Sequence, residues 1–343
     1  MAKVKVILIE DSALMLLVVS DILKSDENIE VLATANNGKE GVEKVLKHKP
    51  DVVITDLIMP EYDGIYAITE IRKESKVPIM VLSASSGDST LVFDAMEAGA
   101  TEFMEKPKGG ISKVRQVDYE LVKSIKKLSK VKIRSIISKS KSVTNNHSFA
   151  KRLAYEVIVI GSSTGGPSAV EEVFKRTPEN LPSSIVVAQH MPKNFIVAFA
   201  KRLNGITPLN VEVAEYGTRL RAGNVYIAGG EYNTEFEKNR GLVSFLANED
   251  YYKDFNNPSV TCLFDSAAEV YGSKVISVML TGMGKDGATG MKKIFDKGGY
   301  CIAQEESTCV VFGMPGAAVA LGAVTQQIKL KDIGVFVVGC LSD

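Results

Sequence analysis

Two glycine-rich corners and one proline-marked turn carry residue types that together can hydrolyse an ester or amide. Gly161-Ser162-Ser163-Thr164-Gly165 has the G-x-S-x-G spacing, centred on Ser163. The apolar run Val157–Ile160 precedes it, and Pro167 with Ser168–Phe174 follows as a predicted helix with proline in its first turn. Strand, sharp turn and helix form a setting that holds a hydroxyl out of the chain as a nucleophile. The same residues also suit a plain βα turn or a phosphate cradle, and a shift of one residue would put the nucleophile at Ser162. A serine nucleophile needs a base, usually histidine, and the chain has three. His48 sits in a Lys-His-Lys-Pro helix end and His147 in a polar stretch. His190 follows the strand-like run Ile185–Ala188 and opens the turn Gln189-His190-Met191-Pro192, so elimination selects it. For the acid that orients the imidazole, Asp286 stands beyond a strand in Val278–Gly290, VMLTGMGKDGATG. Asp250 and Asp254 fall in a polar loop, Asp296 and Asp332 beside lysines, and Asp265 reads as a helix cap. Glycines around Asp286 let backbone N–H groups approach a developing oxyanion. Neither glycine-rich turn supplies the full G-x-G-x-x-G of a nucleotide loop.

A second set of chemistry-bearing residues lies near the N-terminus. Glu10-Asp11, Asp56, Ser83-Ala84 and Lys106-Pro107 each follow a strand-like run. With the first strand beside the third, three carboxylates share a crevice, an arrangement that is unfavourable unless a cation neutralises it. A hard divalent ion with oxygen ligands, most simply Mg²⁺, suits Glu10, Asp11 and Asp56. Lys106 and the Ser83 hydroxyl then face an anion on that metal, and Asp56 is placed to accept a phosphoryl group.

The elements that must position these residues alternate between strand and helix. Strands are predicted at Val4–Ile9, Val31–Ala35, Val52–Thr55, Ile79–Ser83 and Glu102–Glu105, with helices over Ala13–Leu23, Gly38–Leu46, Tyr66–Glu74 and Ser89–Ala98. This pattern predicts a doubly wound parallel sheet with its site beyond the carboxyl ends of the strands. A second α/β domain, with a mainly parallel sheet, follows from strands at Glu156–Ile160, Ser184–Ala188, Val211–Ala214, Asn224–Ala228, Val275–Leu280 and Tyr300–Ala303. Tyr226–Phe245 reads as hairpins attached to that sheet. The expected division is 1–128, a connector over 129–153, and 154–343. The chain has 343 residues, enough for two cores, and its lysines and arginines balance its aspartates and glutamates. The basic stretch Leu121–Arg152 lacks interleaved aromatics and a following DNA-reading module, and reads as a solvated linker. Cys262, Cys301, Cys309 and Cys340 have no metal-ligand spacing, and MAKVKVILIE enters a strand without a cleavable signal pattern, so a reduced cytoplasmic protein is expected. The uncharged run Cys309–Ile328 is broken by Gly313, Pro315 and Gly316, and reads as a turn with a small-residue helix from about Ala317.

Val4 to about Lys127 resembles the receiver domain of two-component response regulators. That resemblance puts Asp56 at the phosphoacceptor position, Glu10 and Asp11 at the metal-binding acidic pair, and Ser83, Phe103 and Lys106 at the switch hydroxyl, aromatic and lysine. Many receivers carry two aspartates where this chain has Glu10-Asp11. The second half resembles the catalytic domain of chemotaxis protein-glutamate methylesterases, through IGSSTGG (160–166), QHMP (189–192), LTGMGKDGATG (280–290) and AQEESTCVVFGMPGAA (303–318). It carries the family's triad onto Ser163, His190 and Asp286. Two departures stand out. Family members often have Ala-Pro-Gly and a histidine where this chain has Ala228-Gly229-Gly230 and Asn233, and Ser162 replaces a common alanine.

The resemblance implies demethylation of glutamate γ-methyl esters, and deamidation of glutamine, on methyl-accepting chemoreceptors. Backbone N–H groups of Thr164 and Met283 are the expected oxyanion donors, and hydrolysis is expected to need no cofactor. A chemotaxis histidine kinase is the expected phosphoryl donor, with membrane contact only through the receptors and no nucleic acid. Phosphorylation of Asp56 would shift two packings of the linked domains and release the esterase mouth. The alternatives are a receiver-linked regulator that only binds DNA or protein, and an unrelated receiver-linked serine esterase.

Overall fold

In the computed structural model, residues 3–83, 89–106, 111–131, 155–248 and 258–341 are described, and of 111–118 only the backbone. His147, Asp250, Asp254, Ala84, Pro107 and most of the basic connector lie outside them. The chain divides into two compact units, Met1–Ile133 and Arg134–Asp343.

The first unit alternates β1 (Val4–Ile9), α1 (Ala13–Lys24), β2 (Ile29–Ala35), α2 (Gly38–His48), β3 (Val52–Asp56), α3 (Gly64–Glu74), β4 (Ile79–Ser83), α4 (Ser89–Ala98), β5 (Glu102–Glu105) and α5 (Ile111–Leu128). The sheet is parallel with order β2-β1-β3-β4-β5. β3 and β4 are buried throughout, as apolar strands with helices on both faces must be. Order reverses between β1 and β3, so Glu10 and Asp56 emerge side by side at the switch point.

The second unit holds β6 (Val157–Ser162), α6 (Gly166–Phe174), β7 (Ser184–Gln189), α7 (Lys193–Asn204), β8 (Asn210–Ala214), β9 (Asn224–Ala228), β10 (Asn233–Asn239), β11 (Leu242–Asn248), α8 (Val260–Tyr271), β12 (Val275–Met279), α9 (Ala288–Asp296), β13 (Tyr300–Gln304), α10 (Met314–Ala320), β14 (Gln326–Ile328) and α11 (Leu330–Leu341). Seven of these strands form one parallel sheet, ordered β14-β13-β12-β6-β7-β9-β8. Its switch point lies between β12 and β6, so the turns carrying Asp286 and Ser163 open into one crevice. Beneath it Val159, Val186, Phe264, Met279 and Met291 share a buried cluster.

The structure corrects four local expectations. Tyr226 belongs to β9 of the main sheet, while β10 and β11 form a separate antiparallel pair; Phe236 and Phe245 on that pair join the core cluster with α8 residues. β6 runs through Gly161 to Ser162, which pair with Ala188 and Gln189 of β7, and glycine fits at 161 because a Cβ there would lie 2.2 Å from Val260 Cγ1. α10 begins at Met314, with Pro315 in its first turn, where the missing N–H costs nothing. Asp265 lies inside α8 and pairs with Lys293; the cap is Ser259, whose side chain accepts from Cys262 N–H. Among the described residues, no helix is long and apolar enough to cross a membrane.

Candidate active site and phosphoacceptor pocket

The second unit's site is assembled from turns after three parallel strands. Ser163 N–H donates to Thr281 O at 3.1 Å, tying the turn after β6 to the turn after β12. Gln189, the last residue of β7, clamps the same corner. Its Nε2 donates to Ser163 O (3.1 Å) and His190 O (2.8 Å), and its Oε1 accepts from Ser162 Oγ at 2.6 Å. Ser162 is therefore fully buried in a structural bond, whereas Ser163 is partly exposed. Gly282 lets the Asp286 turn approach Ser163: a Cβ there would sit 2.4 Å from Met314 Sδ and 2.9 Å from Ser163 Cβ.

His190 links the other two residues. Its Nδ1 lies 3.2 Å from Ser163 Oγ, and its Nε2 lies 2.7 Å from Asp286 Oδ2. With Nε2–H donated to the carboxylate, the Nδ1 lone pair faces the serine hydroxyl; the ring is turned end for end relative to the usual serine-protease arrangement. Asp286, 1% exposed, is held by backbone as well as by the ring. Oδ2 also accepts from Val260 N–H at 2.8 Å. Oδ1 accepts from Thr261 N–H (2.9 Å), Gly287 N–H (2.8 Å) and Ser259 Oγ (3.2 Å). Val260 and Thr261 open α8, so the carboxylate also meets the positive end of that helix. Burial alone would push the Asp286 carboxyl up, but the bonds from His190 and Thr261 outweigh it and hold it below the usual aspartate value. The anion is fixed, which is what a group that orients and stabilises an imidazolium requires.

Of the expected oxyanion donors, Thr164 is buried beside Ser163, its carbonyl facing Thr281 Oγ1 at 3.1 Å, and Met283 is half-buried in the facing turn. Ser259 and Gln304, whose Oε1 accepts from Thr281 N–H at 2.7 Å, were not singled out from sequence, and the supporting roles of Gln189 and of Asn233, whose Oδ1 accepts from Ser259 N–H, were not foreseen. Ser259 alone had a local signal, a serine directly before the apolar start of a helix.

The first unit's pocket is different in kind. Lys106 Nζ lies 2.8 Å from both Asp56 Oδ2 and Glu10 Oε2. Asp56 Oδ1 accepts from Leu57 N–H at 2.7 Å, and Glu10 Oε1 accepts from Ser12 N–H at 3.3 Å. Burial pushes the Glu10 carboxyl up, and Asp56 adds to this against the opposing bond from Lys106. Burial pulls Lys106 down, but its bonds to Asp56 and Glu10 prevail and hold it above the usual lysine value. Glu10, Asp11 and Asp56 each offer an oxygen, all within 4.8 Å of one another. Glu10 Oε2 is buried and, among the described residues, takes no hydrogen bond beyond its ion pair. An under-satisfied, all-oxygen donor set of this kind fits a hard divalent cation. Ser83 is buried at the end of β4, its carbonyl accepting from Lys106 N–H at 2.7 Å, and Phe103 is half-buried on β5.

A doubly wound unit with an acidic pocket, joined to an α/β unit with a serine–histidine–aspartate line, defines a receiver-coupled serine hydrolase. The chain belongs to the family of protein-glutamate methylesterases/protein-glutamine glutaminases. Residues 158–337 match the CheB methylesterase family, and residues 6–115 match the response regulator receiver domain. The protein-glutamate methylesterase/protein-glutamine glutaminase of Archaeoglobus fulgidus is 38% identical over 334 residues, 96% of this chain and 95% of that one. A Thermotoga maritima protein of the same name is 38% identical over 321 residues, 93% of each chain. The crystal structure of the Thermotoga maritima CheB methylesterase catalytic domain superposes with TM-score 0.53 and 38% identity, covering 55% of this chain and 99% of that one.

Proposed function

We propose that this chain hydrolyses glutamate γ-methyl esters on methyl-accepting chemoreceptors, and deamidates glutamines there by the same route, under control of phosphorylation at Asp56. The observation that carries the reading is the single imidazole bonded to Ser163 on one side and to Asp286 on the other. Ser163 Oγ attacks the γ-carbonyl while His190 Nδ1 takes its proton, and Asp286 stabilises the resulting imidazolium. Backbone N–H groups of Thr164 and Met283 hold the oxyanion. The C–O bond to methoxide breaks as His190 returns the proton, and methanol leaves. Water, deprotonated by His190, then cleaves the acyl-serine and frees the glutamate. For an amide, ammonia leaves instead.

In the receiver, Asp56 accepts a phosphoryl group from a chemotaxis histidine kinase, adding about −1.5 to −2 charges. Glu10, Asp11 and Asp56 would hold Mg²⁺, which supplies charge neutralisation when bound. Lys106 pairs with the new anion, Ser83 and Phe103 rearrange, and the change in the receiver raises the activity of the hydrolase unit. The setting is the cytoplasm, with membranes met only through receptors. The catalytic line and the family both argue against a regulator that acts by binding alone.

The test is methanol release from membranes carrying methylated receptor, measured with and without a small phosphodonor. Release that rises with the phosphodonor supports the reading. Cleavage of small esters only, with none from receptor, would point to a different serine esterase.

A further inference from the structure

The hydrogen-bonded line continues past Asp286. Ser259, the N-cap of α8, accepts from Cys262 N–H at 3.2 Å and donates its hydroxyl proton to Asp286 Oδ1 at 3.2 Å. Its own N–H donates to Asn233 Oδ1 at 2.7 Å. Both side chains are buried. Asn233 is the first residue of β10, so the hairpin outside the main sheet reaches the active-site carboxylate through two hydrogen bonds. Position 233, where the resembled family often has a histidine, is buried here.

Resting on the hydrolase reading above, we infer that Ser259 is a positioning residue for Asp286 and that Asn233 fixes Ser259 in that role. A hydroxyl has one proton. The helix N–H of Cys262 occupies an acceptor lone pair of Ser259, which leaves the proton aimed at Oδ1. With Oδ1 taking three donors, Oδ2 is left to Val260 N–H and the imidazole, and the carboxylate is held against rotation. Without the hydroxyl the carboxylate is less well stabilised as an anion and less firmly oriented toward the imidazole, so the pH dependence of the Ser163–His190–Asp286 line should change with it. The other ionisable groups on these elements face away from the carboxylate, Glu237 and Lys238 being exposed. Glu235 accepts from Cys262 Sγ and Asn248, Asp265 and Glu269 pair with Lys293 and Lys297, and Lys285 is exposed.

Ser259→Gly separates this role from capping, because glycine is nearly as good an N-cap as serine. In the full-length protein, with methanol release from methylated receptor membranes as the assay, kcat should fall about tenfold, as loss of a hydrogen bond to a charged group implies. KM should stay within about twofold, and the acid limb of the kcat/KM profile should move by about half a unit. Ser259→Thr should restore both, and Asn233→Ala should move the limb the same way by less. Wild-type kcat and an unmoved limb in both Ser259→Gly and Asn233→Ala would overturn the inference, whatever happens to Tm. Ser163→Ala, assayed alongside, separates the two readings. If it is inactive while Ser259→Gly is fully active, only this inference falls; if it is active, the hydrolase reading falls and takes this with it.

Discussion

Asp56 and Asp286 occupy corresponding places in the two units, each at the carboxyl end of a parallel strand beside a topological switch point. Their surroundings are opposites. Asp286 receives four N–H or O–H donors besides the imidazole and has no free lone pair toward solvent. Among the described residues, Asp56 receives one backbone N–H and one ammonium, with Glu10 and Asp11 close by. The difference teaches that a carboxylate's role follows from how many donors it is given. One saturated with fixed donors is an immobile counter-charge, whereas one left short of donors among its own kind attracts a cation and keeps an oxygen available for reaction.

The largest effect tests the immobile side. Ser163→Ala should lower receptor demethylation by on the order of 10⁶, because members of a triad fail as a unit. Ser162→Ala, which loses only the bond to Gln189, should stay within a small factor of wild type, and near-normal activity in Ser163→Ala would break the assignment. Asp286→Asn should cost about 10⁴ in kcat, since an amide turned to accept from Thr261 and Gly287 N–H presents its NH₂ group to Nε2–H. The same variant probes stability. Because the folded carboxyl titrates below its unfolded value, its contribution is present above about pH 3.9 and is lost as pH falls through the folded value. The gap between wild-type and Asp286→Asn unfolding midpoints should therefore narrow on acidification below about pH 4.

Much of this was legible in the sequence, for a physical reason. Ser163, His190 and Asp286 each stand at a glycine- or proline-marked corner after an apolar run, and a parallel sheet must bring such corners to one edge. The residues that hold them were not legible. Gln189, Asn233, Ser259 and Gln304 are amides and hydroxyls whose importance depends on which carbonyl or carboxylate tertiary packing sets against them. Ser259 gave a weak capping signal, but Asp265, a stronger-looking cap, drew the helix start too far along the chain. The three-residue strand Gln326–Ile328 is too short and polar for any alternation to show. β10 carries Phe236 among acidic and polar neighbours, which reads equally well as part of the main sheet or apart from it.

On the reactive side of the comparison, Asp56→Asn should leave basal demethylation unchanged and remove all stimulation by a phosphodonor. The ratio of stimulated to basal methanol release should fall to about one, because an amide cannot be phosphorylated. Stimulation that survives in this variant would mean that the under-coordinated carboxylate is not the acceptor.

The smallest effect asks whether the pocket is strained without a cation. Glu10 is a carboxyl whose folded value lies above its unfolded one, so the folded receiver binds the extra proton and stability falls as pH rises through that window, from about 4.3 upward. At neutral pH the cation-free receiver carries this penalty. Glu10→Gln removes it, and in chelator the variant's receiver transition should lie a few °C above wild type, as roughly 1 kcal/mol would give in a domain of this size. Mg²⁺ should reverse the order, because it stabilises only the form that binds it and the wild-type pocket offers one more carboxylate. Thermal scans at neutral pH, with and without Mg²⁺, read both arms. A variant less stable than wild type in chelator would show that the Lys106 ion pair already satisfies Glu10, and the contrast between the two carboxylate sites would then rest on Asp56 alone.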